Sequence, residues 1–255
     1  MSGHSKWANI KRKKEKVDAA RGRIFTRLAR EIIVAARQGG GNPEANFRLR
    51  IAIDNAKKMN MPNDNIERAI KRGMGEQGQA DQWEEVTYEG YGPGGVAIMV
   101  DALTGNRNRT ASELRYLFSR NGGNMGEVGC VAWLFDKRGV IRVPKSAIKS
   151  GEDEFLLFTL EAGAADVQTD DEDGVFEIIT DPQDFQKVQE ALEKEGIEAE
   201  EASLQQVPKN RVEVTGKDAE RVAALLEALE DHDDVQNVYS NASLEEGDLA
   251  AGDGS

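Results

Sequence analysis

A change of hydrophobic pattern near residue 80 limits the fold of this 255-residue chain more than any other feature of its sequence. Before that point, apolar residues recur at steps of three and four, which is the period of amphipathic helices. Beyond it, short apolar runs bounded by glycine and proline are typical of strands. A chain of this length has room for about two domains, or three small ones, so we expect a domain boundary near residue 80.

Residues 18–80 are predicted to form a three-helix module that follows a basic arm, residues 1–17. The first helix is expected at about 18–38, where Phe25 and Ile32 belong to one apolar stripe. The other two helices are located by the signals at their N-termini.

Asn42 is predicted to cap the second helix, because Pro43 follows it at the first helical position. Asp64-x-x-Glu67 fits a capping box and is expected to begin the third helix. The composition then changes to Gly, Gln and Ala over residues 75–81, which indicates a linker.

The remainder predicts two α/β domains, one inserted in the other. Residues 81–130 and 208–240 are expected to form the outer domain, and residues 131–207 the inserted one, with the order β-helix-β-β-helix-β. The inserted domain should begin with a hairpin that turns at residues 136–139. Residues 241–255 are predicted to be a disordered acidic tail. The fold class is therefore α+β and multidomain: an N-terminal three-helix module plus two small two-layer α/β (ferredoxin-like) domains.

Positive charge is concentrated in the first eighty residues. They contain 18 Lys and Arg against 8 Asp and Glu, whereas residues 81–255 contain 15 against 38. The whole chain has a net charge of −13 and a pI of about 4.8. This asymmetry predicts that the N-terminal part contacts a polyanion such as nucleic acid, while the acidic remainder opposes close non-specific coating.

The arm and the first helix supply most of the predicted nucleic-acid contacts. On the helix, Arg23, Arg27 and Arg30 fall opposite the apolar stripe and are expected to form an outward ridge, although such a ridge also fits a merely solvated face. Trp7 offers a ring for base stacking among the lysines. The predicted contacts of the arm are Lys6, Trp7, Lys11, Arg12, Lys13, Lys14 and Lys16.

A second phosphate contact is predicted at Arg107 and Arg109. Both flank the start of a helix that Thr110-x-x-Glu113 is expected to cap, and helix N-termini favour anions. A purely structural role for these two arginines fits the sequence equally well.

Few residues suit catalysis or metal binding. The histidines are His4 and His232, and the acidic run around His232 fits a solvated turn better than a metal site. Cys130, the single cysteine, is interpreted as a small buried residue. Residues 90–95 match G-x-G-x-x-G, but a strand follows them instead of a helix, so a tight turn is predicted. We expect no enzyme activity, no cofactor, no metal and no small-molecule substrate.

Several blocks of sequence resemble the YebC/PmpR family. They are Gly3-His4-Ser5-Lys6-Trp7-Ala8-Asn9-Ile10-Lys11, residues 21–26, residues 61–70, Asn106-Arg107-Asn108-Arg109-Thr110 and Asn121-Gly122-Gly123-Asn124. The resemblance implies a helical domain followed by two α/β domains. It also implies a DNA-binding transcriptional regulator, or a translation factor like the mitochondrial activators and the bacterial relatives linked to ribosomes stalled on proline runs.

These observations lead to one main expectation and two alternatives. We expect a cytoplasmic, non-enzymatic nucleic-acid-binding regulator, since the chain has no signal peptide and no apolar run of about 18 residues. The first alternative is a ribosome-associated translation factor whose arm binds ribosomal RNA. The second is a protein-interaction scaffold that binds no nucleic acid.

Overall fold

The computed structural model describes residues 18–75, 83–170 and 174–244. The chain divides into two compact units, of which one is formed by residues 134–210 and the other by the helices and strands on either side of that segment. Among the helices of the described residues, none is long and apolar enough to cross a membrane.

The helices and strands are numbered in chain order. The helices are α1 (Asp18–Gly39), α2 (Phe47–Lys58), α3 (Asn63–Gly73), α4 (Arg107–Arg120), α5 (Glu152–Ala162), α6 (Phe185–Lys194) and α7 (Gly216–Glu230). The strands are β1 (Glu84–Tyr91), β2 (Ala97–Thr104), β3 (Asn124–Met125), β4 (Phe135–Pro144), β5 (Asp166–Asp170), β6 (Val175–Thr180), β7 (Glu201–Pro208), β8 (Val212–Val214), β9 (Val235–Ser240) and β10 (Ala242–Leu244).

The three N-terminal helices pack around one apolar core that includes Ile32, Leu49 and Ile66. The predicted cap of α2 is wrong, because α2 begins at Phe47 and its cap is Asn46. The Asn46 side chain accepts a hydrogen bond from the Leu49 N–H at 3.1 Å and donates to two carbonyl oxygens near the end of α1. Asn42 instead accepts from the Glu44 N–H, so it caps only a turn.

The predicted capping box of α3 is also wrong. The helix begins at Asn63 after Pro62, which places Asp64 inside the first turn. A carboxylate in that position still interacts favourably with the positive end of the helix dipole, which explains why the sequence signal resembles a cap.

The outer unit contains a four-stranded sheet of order β3-β1-β2-β9, in which all neighbours are antiparallel. Of the two strands in residues 211–240, only β9 extends this sheet. β8 pairs in parallel with β10 instead, so residues 242–244 are a strand and not part of a disordered tail. Residues 245–255 lie outside the described residues. Asn241 connects the two sheets, since its side-chain oxygen accepts from the Ala97 N–H at 2.8 Å.

Residues 134–210 have the predicted order β4-α5-β5-β6-α6-β7 and form an antiparallel sheet of order β5-β6-β4-β7. The predicted hairpin at residues 136–139 is wrong, because β4 is one continuous strand that pairs with both β6 and β7. Gly139 serves close packing instead of a turn: a Cβ there would lie 2.2 Å from the Thr180 hydroxyl oxygen. The predicted α+β class, with N-terminal helices followed by α/β units, is confirmed.

Candidate nucleic-acid interface

The predicted contacts of the arm lie outside the described residues, as does the side chain of Arg23. The remaining predicted arginines are Arg27, which is half-buried in α1, and Arg30, Arg107 and Arg109. Their surroundings differ in ways that the sequence did not indicate.

Arg30 does not belong to an outward ridge. Its side chain is only 16% exposed, and its guanidinium lies 3.5 Å from the carboxylate of Asp234 and donates to the carbonyl oxygen of Asp233. The same guanidinium lies 5.3 Å from the ring centroid of Trp83, a cation–π contact. The charge of Arg30 is therefore used to attach α1 to the loop between α7 and β9.

Arg109 approaches the same carboxylate from α4. It forms one ion pair with Asp234 and another with Glu113, the latter at 3.0 Å. Burial alone would lower the pKa of Arg109, but the neighbouring Asp234 and Glu113 carboxylates outweigh it and raise the pKa. Arg109 remains a cation that two acids of the same chain already balance.

The start of α4 differs from the prediction. Asn106 is the N-cap, and its side-chain oxygen accepts from the Arg109 N–H at 3.1 Å. Thr110 is not a cap but lies fully buried inside the helix, with its hydroxyl 2.7 Å from the Asp234 carboxylate and 2.7 Å from the Thr104 hydroxyl. The buried threonine orients Asp234 toward the helix.

His232 completes this group. Its Nδ1 accepts from the Asp234 backbone N–H at 3.1 Å, so the proton of the neutral ring lies on Nε2 and is donated to Glu113 at 2.8 Å. The side chain is 11% exposed, so the predicted solvated turn describes Asp231 and Asp233, which are exposed, but is wrong for His232 and Asp234. We define the Asp234 cluster as Arg30, Arg109, Thr110, Glu113, His232 and Asp234.

Three members of the Asp234 cluster could in principle bind a metal ion. Ligand atoms of Glu113, His232 and Asp234 lie within 4.8 Å of one another. Each of these groups already has a partner, however, and the cations Arg30 and Arg109 lie against the same carboxylates. Two fixed positive charges beside the ligands oppose a divalent cation, so the cluster is better described as a network of ion pairs.

A second contact joins the three-helix module to β1. Arg48 on α2 pairs with Glu31 at 2.9 Å and with Glu85 at 2.5 Å. Burial would lower the pKa of Arg48, but the hydrogen bonds with Glu85 and Glu31 raise it overall. Together with the Asp234 cluster, this pair fixes the direction of α1 within the outer unit.

Tyr88 connects β1 to the start of α4, since its hydroxyl donates to the Arg107 carbonyl oxygen at 3.1 Å. Burial raises the pKa of Tyr88, and the nearby charge of Arg107 partly opposes this rise. The side chain of Arg107 is exposed, which leaves it available to solvent or to an anion.

The loop after β3 is built around a buried carboxylate. Glu89 accepts the backbone N–H groups of Gly129, Val131 and Ala132 at 2.7–2.8 Å. Cys130 in this loop is half-buried, not buried as predicted, and its pKa is raised by burial and by the charge of Glu89. The predicted tight turn between β1 and β2 is confirmed, as residues 93–95 form a single turn before β2 begins.

Two family descriptions match almost the whole chain. Residues 5–76 match the TACO1/YebC protein N-terminal domain, and residues 83–242 match the TACO1/YebC second and third domain. The chain belongs to the TACO1/YebC family. A relative from Natranaerobius thermophilus is 54% identical over 253 residues, covering 99% of this chain and 100% of that protein. Another, from Pelotomaculum thermopropionicum, is 56% identical over 246 residues, covering 96% and 100%. Both are named "Probable transcriptional regulatory protein".

A solved structure has the same fold. The crystal structure of a conserved hypothetical protein from Aquifex aeolicus matches this YebC-family chain with a TM-score of 0.81 and 51% identity. The match covers 91% of this chain and 93% of that one.

In this YebC-family protein, the structure brings two of the predicted site residues together. Arg30 and Arg109 meet at Asp234, although the sequence reasoning assigned both to phosphate. That reasoning missed Asp234 and Glu113 as their partners. For Asp234, the available signal was the Asp-His-Asp-Asp run at the end of a predicted helix, because Asp234 is more than one hundred residues from either arginine in sequence. Glu113 lies four residues after Arg109, so helical spacing alone could have indicated that pair.

Proposed function

We propose that this protein is a non-enzymatic, DNA-binding regulator of transcription that contacts phosphates through its basic arm and the N-terminal half of α1. The observation that carries the proposal is the concentration of positive charge in residues 1–80 of an otherwise acidic chain. The names of the relatives, which describe transcriptional regulation, support the same function.

The anchoring of α1 supports a role for the arm that precedes it. Arg30 is attached to Asp234, while α1 begins twelve residues earlier at Asp18, about 18 Å along the helix axis. The arm therefore precedes the N-terminus of α1, and α1 itself is anchored near its middle by Arg30. Residues Arg23 and Arg27 lie between the anchor and the arm, and in this proposal they extend the phosphate contacts of Lys11, Arg12, Lys13 and Lys14.

Salt dependence tests the proposal directly. Each phosphate that is neutralised on a duplex contributes about −0.9 to the slope of log affinity against log salt, so six contacts predict a slope near −5. Replacing Lys11, Arg12, Lys13 and Lys14 by Gln should make the slope less steep by about 3.6, as measured by fluorescence anisotropy with duplex DNA.

A matched control distinguishes the effect of the arm lysines and arginine from the effect of a change in net charge. Lys137, Lys149, Lys187 and Lys194 are exposed in residues 134–210, and their replacement by Gln changes the charge by the same amount. This control should leave the slope unchanged. A wild-type slope near zero, or equal slopes in the two variants, would contradict the proposal.

The acidity of residues 134–210 favours a translation factor as the second candidate function. This segment has 8 Lys and Arg against 19 Asp and Glu. The outer side of α5 also exposes Leu157 and Leu160, by 63% and 49%, beside acidic residues of the same helix. Such a surface suits a basic protein partner, and ribosomal proteins are an abundant class of them. Co-sedimentation with ribosomes at physiological salt, compared with retention on promoter DNA, distinguishes the two functions.

A further inference from the structure

The outward side of α4 combines arginine, tyrosine and serine in a single stripe. Ser112, Arg115, Tyr116, Ser119 and Arg120 follow the spacing of one helix face, and all five are exposed. Tyr116 is 61% exposed, which is unusual for a residue that prefers at least partial burial. We call these five residues the α4 stripe.

The charges of the α4 stripe are not balanced within the chain. Among the residues that the structure describes, the side chains of Arg115, Tyr116 and Arg120 form no hydrogen bond, ion pair or ring contact. Arg109 on the same helix has two carboxylate partners. An arginine without an internal partner can bind an external anion without first breaking an ion pair.

The α4 stripe also contains no acid, although residues 81–255 are strongly acidic. The only carboxylate of α4 is Glu113, at the edge of the stripe, and it is engaged by Arg109 and His232. An accidental stretch of surface in this part of the chain would be expected to contain acids. The composition therefore points to a polyanion.

The spacing suits one nucleic-acid strand. Arg115 and Arg120 are five residues apart, about 7.5 Å along the helix, and Tyr116 lies between them around the axis. Guanidinium groups bind phosphate in bidentate geometry, serine hydroxyls donate to phosphate oxygens, and exposed aromatic rings stack on unpaired bases.

We propose that the α4 stripe is a second nucleic-acid contact, specific for a single strand, in which Arg115 and Arg120 bind phosphates and Tyr116 stacks on an unpaired base. This inference rests on the proposed nucleic-acid-binding function and adds a separate site to it. The site shares no residue with the arm or with the Asp234 cluster.

The main test replaces both arginines in the full chain. Arg115→Gln with Arg120→Gln should weaken binding to a short single-stranded oligonucleotide about tenfold and make the salt slope less steep by about 1.4, at about 0.7 per phosphate. RNA and DNA oligonucleotides of one sequence are compared, so that the preference of the wild-type protein identifies the source of the strand. Lys187→Gln with Lys194→Gln, which changes the charge equally on α6, should leave both quantities unchanged.

Tyrosine variants test stacking separately from charge. Tyr116→Ala should weaken single-strand binding roughly tenfold without changing the salt slope, and Tyr116→Phe should restore it, because only the ring is needed. Binding to duplex DNA, whose bases are already stacked, should be much less sensitive to Tyr116→Ala. Unchanged thermal unfolding of each variant shows that these exposed positions leave the fold intact.

The outcomes separate this inference from the proposed function. If the wild-type protein binds nucleic acid and the arm variant loses binding, but the Arg115/Arg120 variant binds normally, the α4 site is wrong and the proposed function stands. Binding of Tyr116→Ala like wild type would overturn the stacking and with it the single-strand assignment. If the wild-type protein binds no nucleic acid, the proposed function itself fails.

Discussion

The two halves of α4 show how differently one helix can use its arginines. In the N-terminal half, Arg109 meets Asp234 and Glu113, and a buried threonine and a histidine complete the contacts. In the C-terminal half, Arg115 and Arg120 have no such partners among the described residues. The first arrangement stabilises the fold, whereas the second leaves charge available for a ligand.

This difference shows that a cluster of arginines in a sequence does not by itself indicate a nucleic-acid-binding site. The segment from Arg107 to Arg120 contains four arginines that composition treats alike. Whether each one is balanced depends on residues brought close by the fold, such as Asp234. Substitutions that remove a contact with Asp234 should therefore change stability, and substitutions of Arg115 and Arg120 should change binding only.

The largest effect is expected from Asp234→Ala. Its side chain is 7% exposed, and its removal takes away the carboxylate that Arg30, Arg109 and the buried Thr110 hydroxyl share. Removing one partner of a buried ion pair costs about 3–5 kcal/mol. We expect the free energy of unfolding to fall by the lower of these values, about 3 kcal/mol. Urea denaturation followed by circular dichroism measures it.

Asp233→Ala is the matched control, because Asp233 is exposed and only its backbone oxygen contacts Arg30. This variant should change the free energy of unfolding by less than about 0.5 kcal/mol. Equal effects of the two substitutions would mean that the Asp234 cluster does not stabilise the chain.

A smaller effect is expected in double-mutant cycles at Arg109. Its coupling with Asp234 should be about 1–2 kcal/mol, since one partner is nearly buried, whereas its coupling with Glu113, which is 44% exposed, should be below about 0.5 kcal/mol. Combining Arg109→Ala with Asp234→Ala and with Glu113→Ala supplies the two values. A larger coupling with Glu113 than with Asp234 would show that the solvent-exposed pair stabilises the fold more than the nearly buried one.

Local patterns in the sequence predicted most of the helices and strands. The helical stripes located α1, and the order of elements in residues 134–210 followed from alternating runs and helix periods. The errors occurred where a distant residue decides the structure. The stretch 136–139 has turn-forming residues, yet it stays extended because β7 pairs along it from some seventy residues away.

The candidate site was predicted less well than the fold, for the same physical reason. Arg30 has the helical position of an outward residue when α1 is considered alone, and it becomes half-enclosed only because the loop before β9 packs against it. The α4 stripe, in contrast, needs no distant residue to be recognised. The helical periodicity used for α1 would have placed Arg115, Tyr116 and Arg120 on one side of α4.

The smallest expected effect is a pH dependence at Tyr88, which distinguishes the electrostatic influence of Arg107 from that of Arg115. Burial raises the pKa of Tyr88, the charge of Asp234 adds to the rise, and Arg107 opposes it. Because the folded protein has the higher pKa, the neutral phenol stabilises the fold below the ordinary value of about 10, and this contribution is lost as the pH rises through the folded value. An ultraviolet difference titration against Tyr88→Phe isolates this tyrosine. Arg107→Gln should move its ionisation to higher pH, Asp234→Asn should move it to lower pH, and Arg115→Gln should leave it unchanged. A shift caused by Arg115→Gln would show that the two halves of α4 are electrostatically coupled, against the separation inferred from their contacts.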